Sequence, residues 1–161
     1  MRDISFIRTL SADDTDQRAM DTRRPYTNVL SRLQEAGLRP TRQRLGLARL
    51  LFDGPDRHVT AEQLHAEAGG AGIKVSLATV YNTLHQFTRA NLLREVVVDA
   101  GRSYFDTNTD THHHFFFEDS GQLQDIPQDE VRLSALPQTP DGADIKSVDV
   151  IIRLDRRRNS A

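Results

Sequence analysis

Three consecutive histidines, His112–His114, form the only histidine cluster in the chain. The three phenylalanines that follow favour a β-strand, in which successive side chains point to opposite faces. His112 and His114 would then share one face, and His113 would point to the other. Two imidazoles two residues apart on one face can ligate a transition-metal ion. The cluster is therefore our first candidate for a site that does chemistry.

Other side chains can complete such a site. His58 lies between two predicted helices, Asp106 ends a predicted strand and Asp125 lies on a neighbouring one. A site of histidines and carboxylates suits zinc, iron(II) or manganese(II). Alternatively, the cluster His112, His113 and His114 can ligate haem iron, with phenylalanines 115–117 as an apolar wall beside the porphyrin. The phenylalanines would form part of the core in either case.

Composition excludes several kinds of site and of protein. The chain has 161 residues, a net charge of −2 and no cysteine, which excludes disulfides, cysteine-ligated zinc, iron–sulfur clusters and a thiol nucleophile. No apolar run approaches the roughly 20 residues that span a bilayer, and the polar N-terminus lacks a signal-peptide core. We therefore expect a cytoplasmic protein with no membrane partner. Residues 26–90 are net basic, whereas residues 91–161 are net acidic, which suggests different partners for the two parts.

The elements that must position these residues follow from periodicity and capping signals. Apolar spacing and caps predict four helices, which begin near residues 26, 41, 60 and 76 and end near residues 36, 53, 69 and 90. Strands are then predicted over Leu92–Val98 and Arg102–Asp106, around a turn at residues 99–101. Helices followed by a hairpin are typical of a winged helix-turn-helix domain, although an unrelated α+β domain would show the same order.

After residue 111 the pattern predicts a second small unit. Strands are predicted over His112–Phe117, Gln122–Ile126 and Ile145–Leu154, with a helix over Gln128–Leu136. So small a unit buries little surface alone, which favours pairing with a second copy as a homodimer. The predicted fold class is α+β. Its parts are a flexible arm (1–25), a winged-helix DNA-binding domain (26–107) and a dimerisation and sensor domain (108–161).

The fourth predicted helix separates into two faces. Leu77, Val80, Leu84 and Phe87 repeat at helical spacing and should pack on the preceding helices. The opposite face carries small or amide side chains near the N-terminus and basic side chains near the end of the helix, without any acidic residue. This composition suits contact with double-stranded DNA. An ordinary solvated helix is the alternative. The candidate DNA-binding residues on this helix and on the basic segments around it are Arg42, Arg44, Ser76, Thr79, Tyr81, Asn82, Gln86, Arg89 and Arg102.

Five motifs together resemble the ferric uptake regulator family of bacterial transcription factors. They are Gly37–Arg44, His58–Glu62, Leu77–Leu84, Arg102–Asp106 and the histidine cluster, and the resemblance spans about residues 26–154. It implies an N-terminal winged helix joined to a C-terminal α/β dimerisation domain, with Tyr81 at the family's base-contacting tyrosine. It also places the family's regulatory metal ligands at the five residues chosen above on chemistry, namely His58, Asp106, His112, His114 and Asp125.

The chain departs from the family pattern at three positions. Phe117 and Ser120 stand where members usually have Cys-x-x-Cys for a structural zinc, so no cysteine-ligated structural zinc is expected. Asn82 stands where many members have arginine, which implies a different operator. The triple histidine without cysteine most resembles the iron response regulator branch of alphaproteobacteria, whose members sense haem.

The resemblance implies a homodimeric transcriptional regulator of iron and haem genes, not an enzyme, on AT-rich palindromic operators. In that branch the protein would bind DNA when iron is scarce, and haem at the cluster would weaken binding. A repressor of the same family that responds directly to iron(II), manganese(II) or zinc(II) is the first alternative. A small metalloenzyme and a winged helix that binds only protein are the others.

Overall fold

The computed structural model describes residues 27–155, so the predicted arm at residues 1–25 lies outside the described part. Helices and strands are mixed, as in the predicted fold class. The helices are α1 (Thr27–Glu35), α2 (Arg42–Phe52), α3 (Ala61–Gly70) and α4 (Leu77–Arg89). The strands are β1 (His58–Val59), β2 (Arg94–Asp99), β3 (Arg102–Asp106), β4 (His112–Phe117), β5 (Gln122–Pro127) and β6 (Ile151–Leu154). Within residues 27–155, no helix is long and apolar enough to cross a membrane.

The helix boundaries follow the predicted caps. The side chains of Thr41 and Ser76 accept hydrogen bonds from amides three residues further on, at the starts of α2 and α4. Thr60 and Gln63 form the predicted capping box of α3. Gly37 adopts a φ of +71° just after α1, a conformation that costs glycine little. All four predicted helices are confirmed to within two residues at each end.

The helices pack around one apolar core. Its fully buried members come from all four helices, β1, the segment before β2, and β3, and include Leu33, Leu47, Leu64, Leu84, Phe87 and Phe105. The prediction that Leu77 belongs to this core is wrong, because its side chain is 36% exposed. Leu77 is the first residue of α4 and precedes the turn that packs on the other helices. Thr83 is buried instead, at 5% exposure.

Two small sheets complete the fold. The first has the order β1-β3-β2 with antiparallel pairs, and the second has the order β5-β4-β6, with β4 antiparallel to β5 and parallel to β6. Strand β1 was not predicted, since two residues are too few for a periodic signal. It places His58 directly opposite Asp106, and the second sheet places His114 directly opposite Asp125.

The hairpin β2–β3 packs on the second sheet through a smaller core. Val96, Val98 and Tyr104 of the hairpin meet Phe116 and Leu123 of the second sheet, and all five are buried. The Tyr104 hydroxyl donates a hydrogen bond of 2.5 Å to the Gly121 carbonyl. The two sheets are therefore held together by apolar burial as well as by polar contacts.

Three predicted elements need correction. The helix over Gln128–Leu136 is wrong, because only a 3-10 turn forms over Gln128–Glu130. Leu133 and Leu136 are each 50% exposed, so this segment lacks the packed apolar face that stabilises most short helices. The predicted strand Ile145–Leu154 begins only at Ile151. The predicted strand Leu92–Val98 begins at Arg94, because Leu92 and Leu93 enter the helical core.

Candidate functional site

The structure brings the five predicted metal ligands together. His58 comes from β1, Asp106 from the end of β3, His112 and His114 from β4, and Asp125 from β5. One nitrogen or oxygen atom from each of the five lies within 4.8 Å of every other. Asp106, His112 and His114 are buried. The cluster lies where the two sheets meet, with His58 and Asp106 on the first sheet and the other three residues on the second.

Asp106 lies at the centre of the cluster. Its Oδ2 atom is 2.8 Å from His112 Nε2, 3.2 Å from His58 Nε2 and 3.3 Å from His114 Nε2. Asp125 Oδ1 is 2.9 Å from His58 Nε2. Ligands held about 2.1 Å from one ion at right angles to each other lie about 3.0 Å apart. The observed separations thus fit the coordination shell of a single transition-metal ion.

Contacts outside the cluster orient these ligand atoms. The Asn108 amide N–H donates to Asp106 Oδ1 at 2.9 Å, and the Asn108 side-chain amide donates to Asp125 Oδ2 at 3.1 Å. Each carboxylate therefore presents its other oxygen to the cluster. His112 Nδ1 lies 2.7 Å from the carbonyl oxygen of Asp110. Partners of this kind commonly surround metal ligands in proteins, where they fix tautomer and orientation.

The Asp110 carbonyl defines the protonation of His112. A carbonyl oxygen only accepts hydrogen bonds, so His112 Nδ1 donates to it, and Nε2 is then an acceptor in the neutral ring and a donor in the doubly protonated ring. That Nε2 nonetheless lies 2.8 Å from a carboxylate oxygen and 2.9 Å from Nε2 of His114. Three imidazole nitrogens therefore converge on one buried carboxylate oxygen, and a positive charge among them, whether a proton or a metal ion, stabilises this arrangement. Buried His58 Nε2 and Asp125 Oδ1 lie 2.9 Å apart, and among the described residues neither atom has a well-aligned hydrogen bond.

The electrostatics of the cluster favour a cation. Burial alone would raise the pKa of Asp106, but hydrogen bonds with the imidazoles of His114 and His58 hold this pKa well below its usual range. Burial alone would lower the pKa of His58, yet the carboxylates of Asp106 and Asp125 raise it above its usual value. The cluster thus keeps an ionised carboxylate inside a ring of imidazoles, and this donor set suits a divalent transition metal.

His113 is separated from this cluster by the alternation of the strand. It is buried on the opposite face of β4, where its Nδ1 accepts a hydrogen bond of 3.3 Å from the Val150 amide. Burial, and secondarily the charge of Arg94, lower the pKa of His113. Of the three candidate haem ligands, His112 and His114 therefore face the carboxylates, whereas His113 does not.

The predicted DNA-binding residues on α4 lie mostly on its solvent-facing side. Tyr81 and Asn82 are exposed near the middle of the helix, and Arg89 is exposed at its end. The Tyr81 hydroxyl donates to Glu62 Oε1 on α3 at 2.6 Å. Gln86 Oε1 accepts two hydrogen bonds from the Arg44 guanidinium, of 2.6 and 3.1 Å. Arg44 thus reaches the helix from α2.

The remaining predicted DNA contacts are placed differently. Ser76 uses its hydroxyl to cap α4 and also meets the Thr79 hydroxyl at 2.8 Å. Arg42 is exposed at the start of α2. Arg102 is exposed at the turn of the hairpin, and its guanidinium carbon is 5.8 Å from the ring centre of Phe116 on the second sheet. Arg44 therefore lies against the predicted DNA-binding residues of α4, whereas Arg102 lies beside the second sheet.

Sequence reasoning missed four residues around these sites. Asn108, Asp110 and Arg94 contact the metal cluster or its neighbours, and Glu62 binds Tyr81. Asn108 follows Asp106 by two residues, a spacing typical of an Asx turn that could have indicated it. Arg94 and Glu62 reach their partners through the tertiary fold and carry no local signal.

The chain is similar to known proteins over most of its length. The model of the "Ferric uptake regulator family" matches residues 35–153. Several ferric uptake regulation proteins match. That of Klebsiella pneumoniae is 32% identical over 102 residues, covering 63% of this chain and 66% of the relative. That of Vibrio cholerae is 33% identical over 98 residues, covering 60% and 65%. The matched region thus spans about two thirds of these curated relatives.

A solved structure agrees with these matches. The ferric uptake regulator from Pseudomonas aeruginosa, solved with manganese, has a TM-score of 0.61 and 26% identity to this chain, covering 80% of it and 97% of that chain. The family model alone covers more than half of the present sequence. The chain therefore belongs to the ferric uptake regulator family, whose members are transcription regulators and not enzymes.

Proposed function

We propose that this protein is a metal-responsive, DNA-binding transcription regulator that binds one divalent ion at the five-residue cluster. One observation carries the proposal. His112 Nε2, which has no proton in the neutral ring, lies within 3 Å of both Asp106 Oδ2 and His114 Nε2. A bound cation would replace these close contacts by shared coordination of one positive charge. The ligands would be His58, Asp106, His112, His114 and Asp125.

Iron(II), manganese(II) and zinc(II) are the candidate ions. Three imidazoles and two carboxylates are borderline ligands that accept each of them. The manganese in the related P. aeruginosa structure supports manganese among the three. The bound ion would supply positive charge only, because none of the proposed roles requires a chemical reaction.

The placement of the ligands suggests how the metal site would influence DNA binding. His58 and Asp106 belong to the sheet that continues into the helices, whereas His112, His114 and Asp125 belong to the second sheet. Holding the five side chains together fixes one sheet against the other, and with it the position of α4. The DNA-binding equilibrium would shift only by the difference in metal affinity between the two arrangements of the sheets.

The proposed DNA partner and assembly extend the predicted domain division. The winged-helix unit (26–107) would read half of an AT-rich palindrome through α4, and the sensor unit (108–161) would join two copies. Three large apolar side chains, Leu133, Leu136 and Ile145, are about half exposed on the irregular segment before β6. Such an exposed apolar group is typical of a surface that a partner covers, which supports a homodimer.

Haem is the second candidate effector, as the resemblance to the iron response regulators implies. Half-buried Phe115 and Phe117 follow the three histidines and offer apolar contacts for a porphyrin. Buried His113, with its lowered pKa, offers a neutral imidazole. Because His113 faces away from His112 and His114, the three histidines would not bind one haem iron together.

The test is DNA binding by purified protein in three states: metal-free, loaded with manganese(II), and loaded with haem. Fluorescence anisotropy with an AT-rich palindromic duplex should show binding that strengthens on adding manganese(II), and that loses this response in His112→Ala with His114→Ala. A protein that binds no divalent metal in equilibrium dialysis would contradict the metal proposal. A Soret shift that disappears in the triple alanine variant at residues 112–114, with weaker DNA binding, would instead favour haem.

A further inference from the structure

Arg94 connects three separate chain segments beside the candidate metal centre. It lies on β2, directly opposite Asp106 of β3. Its Nη1 donates hydrogen bonds to the carbonyls of Asp110 and His112, at 3.3 and 3.1 Å, and its Nη2 pairs with the Asp149 carboxylate. Arg94 is neither one of the five ligands nor part of the α4 face. Its contacts nevertheless converge on the loop between the two sheets.

The Asp110 carbonyl links Arg94 to His112, because it accepts hydrogen bonds from both the arginine and the Nδ1–H of His112. The Asp110 amide also donates to Asn108 Oδ1 at 3.1 Å, and Asn108 in turn contacts both ligand carboxylates. Asp110 itself is exposed. Without the arginine, this carbonyl would be free to turn toward water.

The tautomer of His112 depends on a competition between two acceptors. With its proton on Nδ1, the ring donates to the Asp110 carbonyl and leaves Nε2 free for a metal. With its proton on Nε2, the ring would donate to Asp106 Oδ2, which is only 2.8 Å away. A carboxylate is a stronger acceptor than a carbonyl, so the first tautomer needs a well-placed carbonyl. The second tautomer would block the ligand atom.

We propose that Arg94 is a positioning residue that holds the Asp110 carbonyl in place and thereby keeps His112 in the metal-ready tautomer. The inference rests on the proposed metal site but concerns a property of the metal-free protein. A guanidinium suits this role because its fixed fork of donors can bind two carbonyls and a carboxylate at once. Such outer partners typically change metal affinity by about 10- to 100-fold.

The first test is the tautomer itself, in metal-free protein at a pH where the ¹⁵N shifts of His112 show a neutral ring. Long-range ¹H–¹⁵N NMR should show the His112 proton on Nδ1 in the wild type and a shift of population toward Nε2–H in Arg94→Met. Arg94→Lys, which keeps one donor group, should restore part of the wild-type signal.

Arg153→Met is the matched control. Arg153 also joins the two sheets, through the Val98 carbonyl and Glu118, but it contacts none of the five ligands. Its removal should leave the His112 tautomer unchanged. If Arg94→Met does not fold, Asp149→Asn loosens Arg94 more gently and should give a smaller shift in the same direction.

The second test is cobalt(II) affinity, followed by the visible absorption of the bound ion. Arg94→Met should bind cobalt(II) about tenfold more weakly than the wild type, while Arg153→Met should bind it equally well. A folded Arg94→Met protein with an unchanged tautomer and unchanged affinity would overturn the inference. A wild type that binds no cobalt(II) would instead overturn the proposed metal site, and the NMR result would still decide the role of Arg94.

Discussion

The proposed metal cluster and the exposed face of α4 differ in how their polar groups are paired. In the cluster, three imidazole nitrogens crowd one buried carboxylate oxygen, and His58 Nε2 and Asp125 Oδ1 lack well-aligned hydrogen bonds among the described residues. On the helix, two of the predicted DNA-binding side chains are already paired, Gln86 with Arg44 and Tyr81 with Glu62. The proposed metal site therefore has a place for a cation, whereas at the proposed DNA-binding surface Gln86 and Tyr81 already have partners without DNA.

This difference predicts different energetics for the two ligands. A metal would bind five side chains that only the folded chain brings together, so its binding should add stability directly. DNA must first replace internal hydrogen bonds by new ones, and such exchanges yield only about 0.5–1.5 kcal/mol each. Most of the DNA affinity should therefore come from charge neutralisation of phosphates, which is sensitive to salt.

The largest expected effect is the loss of metal binding in Asp106→Asn. Asp106 is fully buried and its Oδ2 faces all three imidazoles, so this change removes the negative charge at the centre of the cluster. We expect a fall in manganese(II) affinity of roughly 100-fold or more, beyond the usual effect of outer partners. Competition with a chromophoric chelator would measure it. Asp141→Asn, an exposed aspartate outside the cluster, is the control and should bind metal normally.

Metal should also stabilise the fold. At a free metal concentration 100 times the Kd, the free energy of unfolding should rise by about 2.7 kcal/mol if the unfolded chain binds no metal. Urea denaturation with manganese(II) and with chelator would measure the difference. The increment should vanish in Asp106→Asn. A wild type that is equally stable in both conditions would contradict metal binding by the folded cluster.

Local patterns predicted the elements better than they predicted how the elements meet. The period of two along β4 was enough to place His112 and His114 on one face, and the cap residues were enough to delimit the four helices. Asp106 and Asp125 were chosen because carboxylates can ligate a metal together with histidines. Their approach to His58 and His114, however, depends on strand registers between segments far apart in the chain. The short strand β1 carried no local signal.

The predicted helix over Gln128–Leu136 failed for a related reason. The segment is bounded by Pro127 and Pro137, yet its Leu133 and Leu136 remain half exposed within residues 27–155. Periodicity indicates which face would be buried but not whether a surface exists to bury it. In the proposed homodimer the second copy would supply that surface.

A smaller effect is expected from Arg42→Met. Arg42 is exposed at the start of α2, which suits contact with a phosphate rather than with a base edge. The slope of log K against log salt concentration should fall by about 1, with similar weakening on specific and unrelated duplexes. Anisotropy titrations at several salt concentrations would measure it. A selective loss on the palindrome alone would mean that Arg42 reads sequence.

The smallest effect is expected from Tyr81→Phe, and it tests whether the pairing of Tyr81 with Glu62 already suffices without DNA. The Tyr81 hydroxyl already donates to Glu62, so any hydrogen bond it makes to DNA must replace that one. The exchange is nearly neutral, and DNA affinity should change by less than about threefold. Tyr81→Ala should cost more, because it also removes the ring that stacks on His85. Tyr81→Phe could instead weaken DNA binding more than about tenfold, or about 1.4 kcal/mol. The hydroxyl would then gain far more from DNA than from Glu62, and the helix face, like the metal cluster, would have an unmet need for its ligand.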